Sequence, residues 1–194
     1  MAFKIRVFGS AIGAEKDIEE KAYLIGKEIA NQNCILITGG CCGLPYLASK
    51  GAFENKGKTI AYSPGADLGE HTNNYGLPKD VFGEFVFIPE DYSFRGNKPV
   101  CLKYRNVTSC AEADAGIIIG GRIGTINEFT NLYDMGKVIG ILKGSRGSTD
   151  IIPEIVKSAN KDSGAILIYE YDLVELVKKI VNELKKKGER NATN

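Results

Sequence analysis

The run Gly120-Gly121-Arg122-Ile123-Gly124-Thr125-Ile126-Asn127-Glu128 joins a glycine turn to a hydroxyl and a carboxylate three residues apart. It follows the apolar stretch Ala115 to Ile119 and leads into a helical pattern. Glycines at a strand-to-helix turn let backbone N–H groups converge on an anion, and the helix N-terminus adds partial positive charge. The spacing therefore predicts a phosphate site over Gly121, Arg122, Gly124 and Thr125. Thr125 and Glu128 also stand at the spacing of a capping box, in which each side chain bonds the other residue's backbone N–H. A structural role for Glu128 thus stands beside a catalytic one.

Two further glycine turns follow predicted strands, Gly9-Ser10-Ala11-Ile12-Gly13 and Thr38-Gly39-Gly40-Cys41-Cys42-Gly43. In a doubly wound sheet the carboxyl ends of the strands share one edge, so all three turns can face one crevice. Gly9, Ser10, Gly39, Gly40 and Gly43 join the candidate ligand-binding residues on this ground. A dinucleotide fingerprint needs Gly-x-Gly-x-x-Gly and an acid about 20 positions later, at the end of the next strand. Here the second turn has Thr38 in place of the first glycine, and the next strand ends Ala61-Tyr62-Ser63. The sequence also lacks the Gly-x-x-x-x-Gly-Lys-Ser/Thr run of a P-loop. NAD-dependent dehydrogenase and P-loop ATPase chemistry are set aside.

Arg105 falls mid-helix in Lys103-Tyr104-Arg105-Asn106, where spacing alone favours a solvated or surface-paired arginine. His71, the sole histidine, falls in the glycine- and asparagine-rich stretch Pro64 to Pro78, read as a long loop, and is expected to be solvent-exposed. Leu102, Pro64 and Tyr75 are expected to supply apolar walls that accept a planar ring. Five cysteines, at 34, 41, 42, 101 and 110, lack a Cys-x-x-Cys spacing, so Cys41 and Cys42 are read as small packing residues and no metal is assigned.

Short Val- and Ile-rich runs alternate with stretches of helical period, the pattern of strand-helix units around a parallel sheet. Strands are expected near Lys4 to Phe8, Cys34 to Thr38, Thr59 to Ser63, Phe85 to Ile88, Ala115 to Ile119, Val138 to Leu142 and Ala165 to Ile168. Helices are expected near Glu15 to Asn31, Leu44 to Glu54, Asn97 to Ala113, Thr125 to Tyr133 and Ile152 to Ser158, with a last one carrying Leu173 to Leu184. The fold class is α/β, a Rossmann-like doubly wound, mostly parallel sheet of about seven strands with helices on both faces. One nucleotide-binding domain over 1–188 and a polar tail over 189–194 are expected.

With 25 basic and 24 acidic residues in 194, the chain lacks the broad positive footprint of a nucleic-acid binder. No run approaches a membrane span, and Met1-Ala2-Phe3-Lys4-Ile5-Arg6 leads into a strand rather than a signal peptide. With the odd cysteine count, this gives an expected cytoplasmic location and neither nucleic acid nor membrane as partner.

The ordered set Val7-Phe8-Gly9-Ser10, Thr38-Gly39-Gly40, Gly43-Leu44, Arg105-Asn106, Ala113-Asp114-Ala115 and Gly120 to Glu128 resembles the Lonely Guy superfamily. That superfamily, also called lysine decarboxylase-like, includes molybdenum-cofactor-carrier-like proteins. The resemblance covers about Phe3 to Leu142. Its catalytic branch carries Pro-Gly-Gly-x-Gly-Thr-x-x-Glu and an upstream Met-His-x-Arg-Lys segment, and it releases the base from nucleoside 5'-monophosphates. Carried over, the resemblance implies Glu128 and Arg105 as catalytic residues, Gly121 to Thr125 as the phosphate turn, no cofactor, and a homodimer. The ligand it implies is a phosphorylated small molecule such as AMP. Gly120 replaces the family proline, Arg122 the second glycine, Leu102 and Lys103 the Met-His pair, and Asn106 the lysine. The Arg105-Asn106 pair looks more like the carrier branch, so the alternative is a non-catalytic carrier or sensor of a nucleotide or molybdenum cofactor.

Overall fold

The structure is a computed structural model that describes residues 2–192. Its strands are β1 (Lys4–Gly9), β2 (Ile35–Thr38), β3 (Lys58–Tyr62), β4 (Glu84–Val86), β5 (Ala115–Ile119), β6 (Val138–Leu142) and β7 (Ile166–Glu170). They form one sheet in the order β4-β3-β2-β1-β5-β6-β7, and each neighbouring pair is parallel. All seven expected strands are found, and the sheet expected to be mostly parallel is parallel throughout.

The helices are α1 (Lys16–Asn31), α2 (Leu44–Glu54), α3 (Lys98–Glu112), α4 (Ile123–Asp134), α5 (Ser148–Ala159) and α6 (Leu173–Ala192). On one face, α1, α2 and α6 bury Ile18, Ile25, Ala48, Leu176 and Ile180 against Ile5, Val7 and Ile117. On the other, α3, α4 and α5 bury Cys110, Phe129, Leu132 and Ile152 against Phe8, Ile118 and Ile139. Burying both faces is what allows β5 and β6 to be buried along their whole length, as parallel strands require. Because side chains alternate along a strand, Arg6 shares the second face with Phe8.

Four differences from expectation bear on the site or the ends of the fold. Helix α4 begins two residues earlier, at Ile123, and α5 begins at Ser148 because its polar first turn hid the start of the apolar period. The stretch expected to be an open loop from Pro64 to Pro78 contains a π-helical turn, Glu70–Asn74. Helix α6 continues through Ala192, so the described part of the stretch read as a polar tail is helical; residues 193–194 lie outside the described residues. No helix among the described residues is long and apolar enough to cross a membrane.

The chain order β1, β2, β3, β4 runs outward on one side of β1, while β5, β6 and β7 run outward on the other. The connections therefore diverge between β1 and β5, leaving a crevice at the carboxyl ends of these strands.

Candidate functional site

A cleft of about 540 Å³ occupies this crevice. Its floor is the end of β1 and the turn beyond it, from Val7 through Gly9 and Ser10 to Ile12, with Gly39 and Cys41 after β2. One wall is α3, with Leu102, Arg105 and Asn106; another is the start of α4, with Arg122, Gly124, Thr125 and Glu128. Tyr75 and Leu77 close it from the segment after β3. Leu102 and Tyr75 thus line the cleft as expected, whereas Pro64 is buried and is not among the lining residues.

The expected capping box does not form. Arg122 is the N-cap of α4, and Thr125 lies inside the first turn, its N–H donating to Arg122 O at 2.9 Å. With the helix starting at Ile123, the Glu128 side chain stands one turn too far along to cap it. The first-turn N–H groups of Ile123 and Gly124 have no intrahelical acceptor, which leaves them oriented for an anion. Gly121 sits at φ +96° behind this turn, and a Cβ there would lie 2.2 Å from Thr125 Oγ1. Its lack of a side chain lets the turn close onto the helix.

Glu128 is held from an unexpected direction. Its Oε1 accepts a hydrogen bond from Nη2 of Arg6, a side chain 1% exposed on the central strand. The Glu128 side chain itself is 12% exposed and faces the cleft. Oε2 has no hydrogen bond among the described residues, yet it is not sealed from solvent.

Arg105 is buried, not solvated, because α3 turns this face onto the end of β2. Nη1 donates to Gly39 O at 2.6 Å, while Nε and Nη2 donate to Asn106 Oδ1 at 3.2 and 3.0 Å. Asn106 in turn donates through Nδ2 to Asn127 Oδ1 at 3.1 Å, tying α3 to α4. A guanidinium carries five N–H donors, so Arg105 keeps donors beyond these three bonds while its place is fixed by the chain.

His71 is fully buried, which overturns the expected solvent exposure. Its Nε2 lies 2.9 Å from Pro78 O and its Nδ1 2.9 Å from Ser63 Oγ. A carbonyl can only accept, so Nε2 carries the proton and Nδ1 accepts from the serine hydroxyl. Burial pushes the imidazole below its ordinary value, with the nearby Arg105 charge acting the same way. The neutral ring anchors both ends of the segment that carries Tyr75 and Leu77 to the cleft. Burial also pushes up the Cys41 thiol and raises the Tyr75 phenol to about 12, so both enter the cleft uncharged at neutral pH.

The remaining candidates divide by location. Gly9, Ser10, Gly39, Leu102, Arg122, Gly124 and Thr125 line the cleft. Gly40 packs against the His71 ring and Gly43 against the backbone of Ser10 and Ala11, so both shape the turns from behind. Gly121 lines an adjoining cavity of about 260 Å³ with Gly120, Arg122 and Arg146; Ser10 and Arg122 border both spaces. Ser145 and Ser148 pin the Gly120-Gly121 turn, through Gly120 N to Ser145 Oγ at 2.8 Å and Ser148 Oγ to Gly120 O at 2.6 Å. Sequence reasoning missed these serines, Asn127 and Arg6. A signal for Arg6 was present, a charge inside the apolar strand run Ile5-Arg6-Val7-Phe8.

Fold and cleft together define a Rossmann-like α/β protein with a ligand crevice at the switch point of its sheet. The model of the SLOG cluster4 family matches residues 2–177, and the chain belongs to that family, within the Lonely Guy-like superfamily that the motifs resembled. A protein of Archaeoglobus fulgidus described as uncharacterized is 31% identical over 137 residues, 68% of this chain and 77% of that protein. Among solved structures, the X-ray structure of TM1055, a structural-genomics target, is similar with a TM-score of 0.75 and 20% identity. That likeness covers 93% of this chain and 99% of the other. The molybdenum cofactor carrier protein of Chlamydomonas reinhardtii is similar with a TM-score of 0.71 and 21% identity, over 96% and 99% of the two chains.

Proposed function

We propose that the cleft binds a nucleoside 5'-monophosphate and that the chain hydrolyses its N-glycosidic bond, releasing the free base and ribose 5-phosphate. The observation that carries this reading is the placement of Glu128, with one carboxylate oxygen engaged by Arg6 and the other open to the cleft. The Gly124 and Thr125 turn lines the same cleft and suits the 5'-phosphate, while Leu102, Tyr75 and Leu77 suit the flat base.

In this mechanism the C1'–N bond breaks with its electron pair going to the base, and positive charge develops on the ribose ring. Glu128 stabilises that charge and accepts a hydrogen bond from the water that adds to C1', as a carboxylate does beside a glycosidic carbon. The added water gives up one proton and the departing base takes up one, so the products are neutral with respect to the reactants. Arg105, fixed by Gly39 and Asn106, directs its spare donors at the ribose or the leaving base. Phosphate binding away from the reacting bond fixes the sugar against the acid.

A second reading is a non-catalytic carrier or sensor of a nucleotide or of the molybdenum cofactor. It is favoured by the tie between Arg105 and Asn106 inside the chain and by the fold shared with a molybdenum cofactor carrier protein. Incubation with a panel of nucleoside monophosphates, followed by chromatography, separates the two. Release of base and ribose 5-phosphate supports hydrolysis; tight binding without turnover supports the carrier.

The cell compartment proposed is the cytoplasm, in keeping with five free cysteines. A homodimer is also proposed, since Ile12 and Ile123 stand 65% and 79% exposed at the turns bordering the cleft, and sizing by light scattering tests it.

A further inference from the structure

Arg6 is costly where it stands. Its side chain is buried on β1 among apolar neighbours, with the Phe8 ring 4.8 Å from Cζ. Nη2 reaches Glu128, but Nε and Nη1 are buried with no hydrogen-bond partner. A buried ion pair generally adds little over well-packed apolar residues of the same volume, because desolvation offsets the attraction. Two unpaired donors raise the cost further. The cation–π contact with Phe8 offsets part of this cost, but it leaves two donors unpaired, so stability is a weak reason for an arginine at position 6, whereas the geometry of Glu128 supplies a stronger one.

The contact is one-sided. Oε1 of Glu128 points back toward the sheet, and Oε2 is left for the cleft. A glutamate on a helix ordinarily samples several rotamers. Tied by one oxygen to a side chain enclosed in the core, its second oxygen acquires a fixed direction. Arg105 does not do this work, since its bonds run to Gly39 and Asn106.

We infer that Arg6 is a positioning residue that fixes Glu128 so that Oε2 meets the ribose hydroxyls of the ligand, and that it thereby sets a preference for ribose over deoxyribose. This rests on the nucleotide reading of the cleft but not on turnover. A hydrogen bond from a sugar hydroxyl to a carboxylate contributes enough to give roughly a tenfold preference or more when the carboxylate is held in place. When it swings freely, most of that preference is lost to the ordering of the side chain.

The test compares AMP with 2'-deoxy-AMP on the wild type, Arg6→Met, Arg6→Lys and Arg105→Ala. The quantity compared is the ratio of the two dissociation constants by calorimetry, because the deoxyribose glycosidic bond is intrinsically the weaker and biases any ratio of rates. The wild type is expected to favour AMP by about tenfold or more. Arg6→Met is expected to bring the ratio to within about twofold of unity, Arg6→Lys to restore part of it, and Arg105→Ala to weaken both ligands. Where turnover occurs, Arg6→Met is expected to lower kcat far more than it raises KM. An unchanged ratio in Arg6→Met overturns the inference, as does a wild type without preference. Should Arg6→Met fail to fold, Arg6→Lys retains the charge and decides the matter, since an undiminished ratio there also overturns it. A wild type that binds neither nucleotide removes the nucleotide reading itself, and this inference with it.

Discussion

The Arg105 guanidinium is bonded to the Gly39 carbonyl, Nη1 to O at 2.6 Å, across 66 positions of sequence. The approach is close enough that a Cβ on residue 39 would lie 2.2 Å from Nη1 and 2.6 Å from Cζ. The absence of a side chain at position 39 and the location of the cleft arginine are therefore one structural fact.

Gly39→Ala is accordingly expected to push Arg105 out of place. Overpacking of this kind costs about 1–3 kcal/mol. Calorimetric titration with AMP is expected to show affinity reduced by about tenfold, because Arg105 loses its alignment with the ligand. Affinity equal to wild type would show that Arg105 does not face the ligand.

Glu128→Gln is expected to destabilise the fold as well as to abolish base release. Removing one partner of a buried ion pair strands the other charge and costs about 3 kcal/mol, against about 1 kcal/mol for a lost helix cap. Urea unfolding of Glu128→Gln, Arg6→Met and the double variant checks this. The double variant is expected to be more stable than the sum of the single losses predicts, by about 1 kcal/mol or more.

Stability is expected to fall as pH drops below the ordinary histidine value of 6.5. His71 titrates lower in the fold than in the unfolded chain, chiefly through burial, so the native state binds fewer protons in this window. Its contribution is complete above 6.5, declines as pH falls from there toward the folded value, and is level below it. Since His71 is the sole histidine, the difference in slope between wild type and His71→Phe over pH 5–7 isolates its effect. Parallel slopes in thermal melts would refute the assignment.

Arg122→Glu is expected to weaken AMP binding by about tenfold or more, through reversal of charge beside the glycine turn proposed to hold the phosphate. The side chain is exposed and makes no hydrogen bond among the described residues, so unfolding stability is expected to stay within about 0.5 kcal/mol. Unchanged or tighter binding would show instead that Arg122 obstructs the anion.

The strands were legible because most are short runs rich in Val and Ile bounded by turn residues, and the two-sided sheet buries the central β5 and β6 at every position. Helices α1 and α6 were equally plain from their apolar stripes. The glycine turns were legible for the same local reason, and strand order at the carboxyl edge brought Gly9, Gly39 and Gly124 to one cleft as the doubly wound pattern predicts. The start of α4 was not, since Ile123 and Thr125 both fit the first turn of a helix, and only the backbone hydrogen bonds to Arg122 distinguish them.

The sequence by itself thus determined the class of fold and the edge of the sheet where the glycine turns gather, both of which follow from local pattern, and its motifs carried the resemblance to the superfamily. Tertiary structure decided how the charged groups are partnered: Glu128 with Arg6, Arg105 with Gly39, and His71 with Ser63 and Pro78. The physical reason is distance along the chain. Helix and strand periods are set by neighbours a few residues apart, whereas Arg6 and Glu128 meet across 122 positions, and only the packing of α4 onto β1 brings them together.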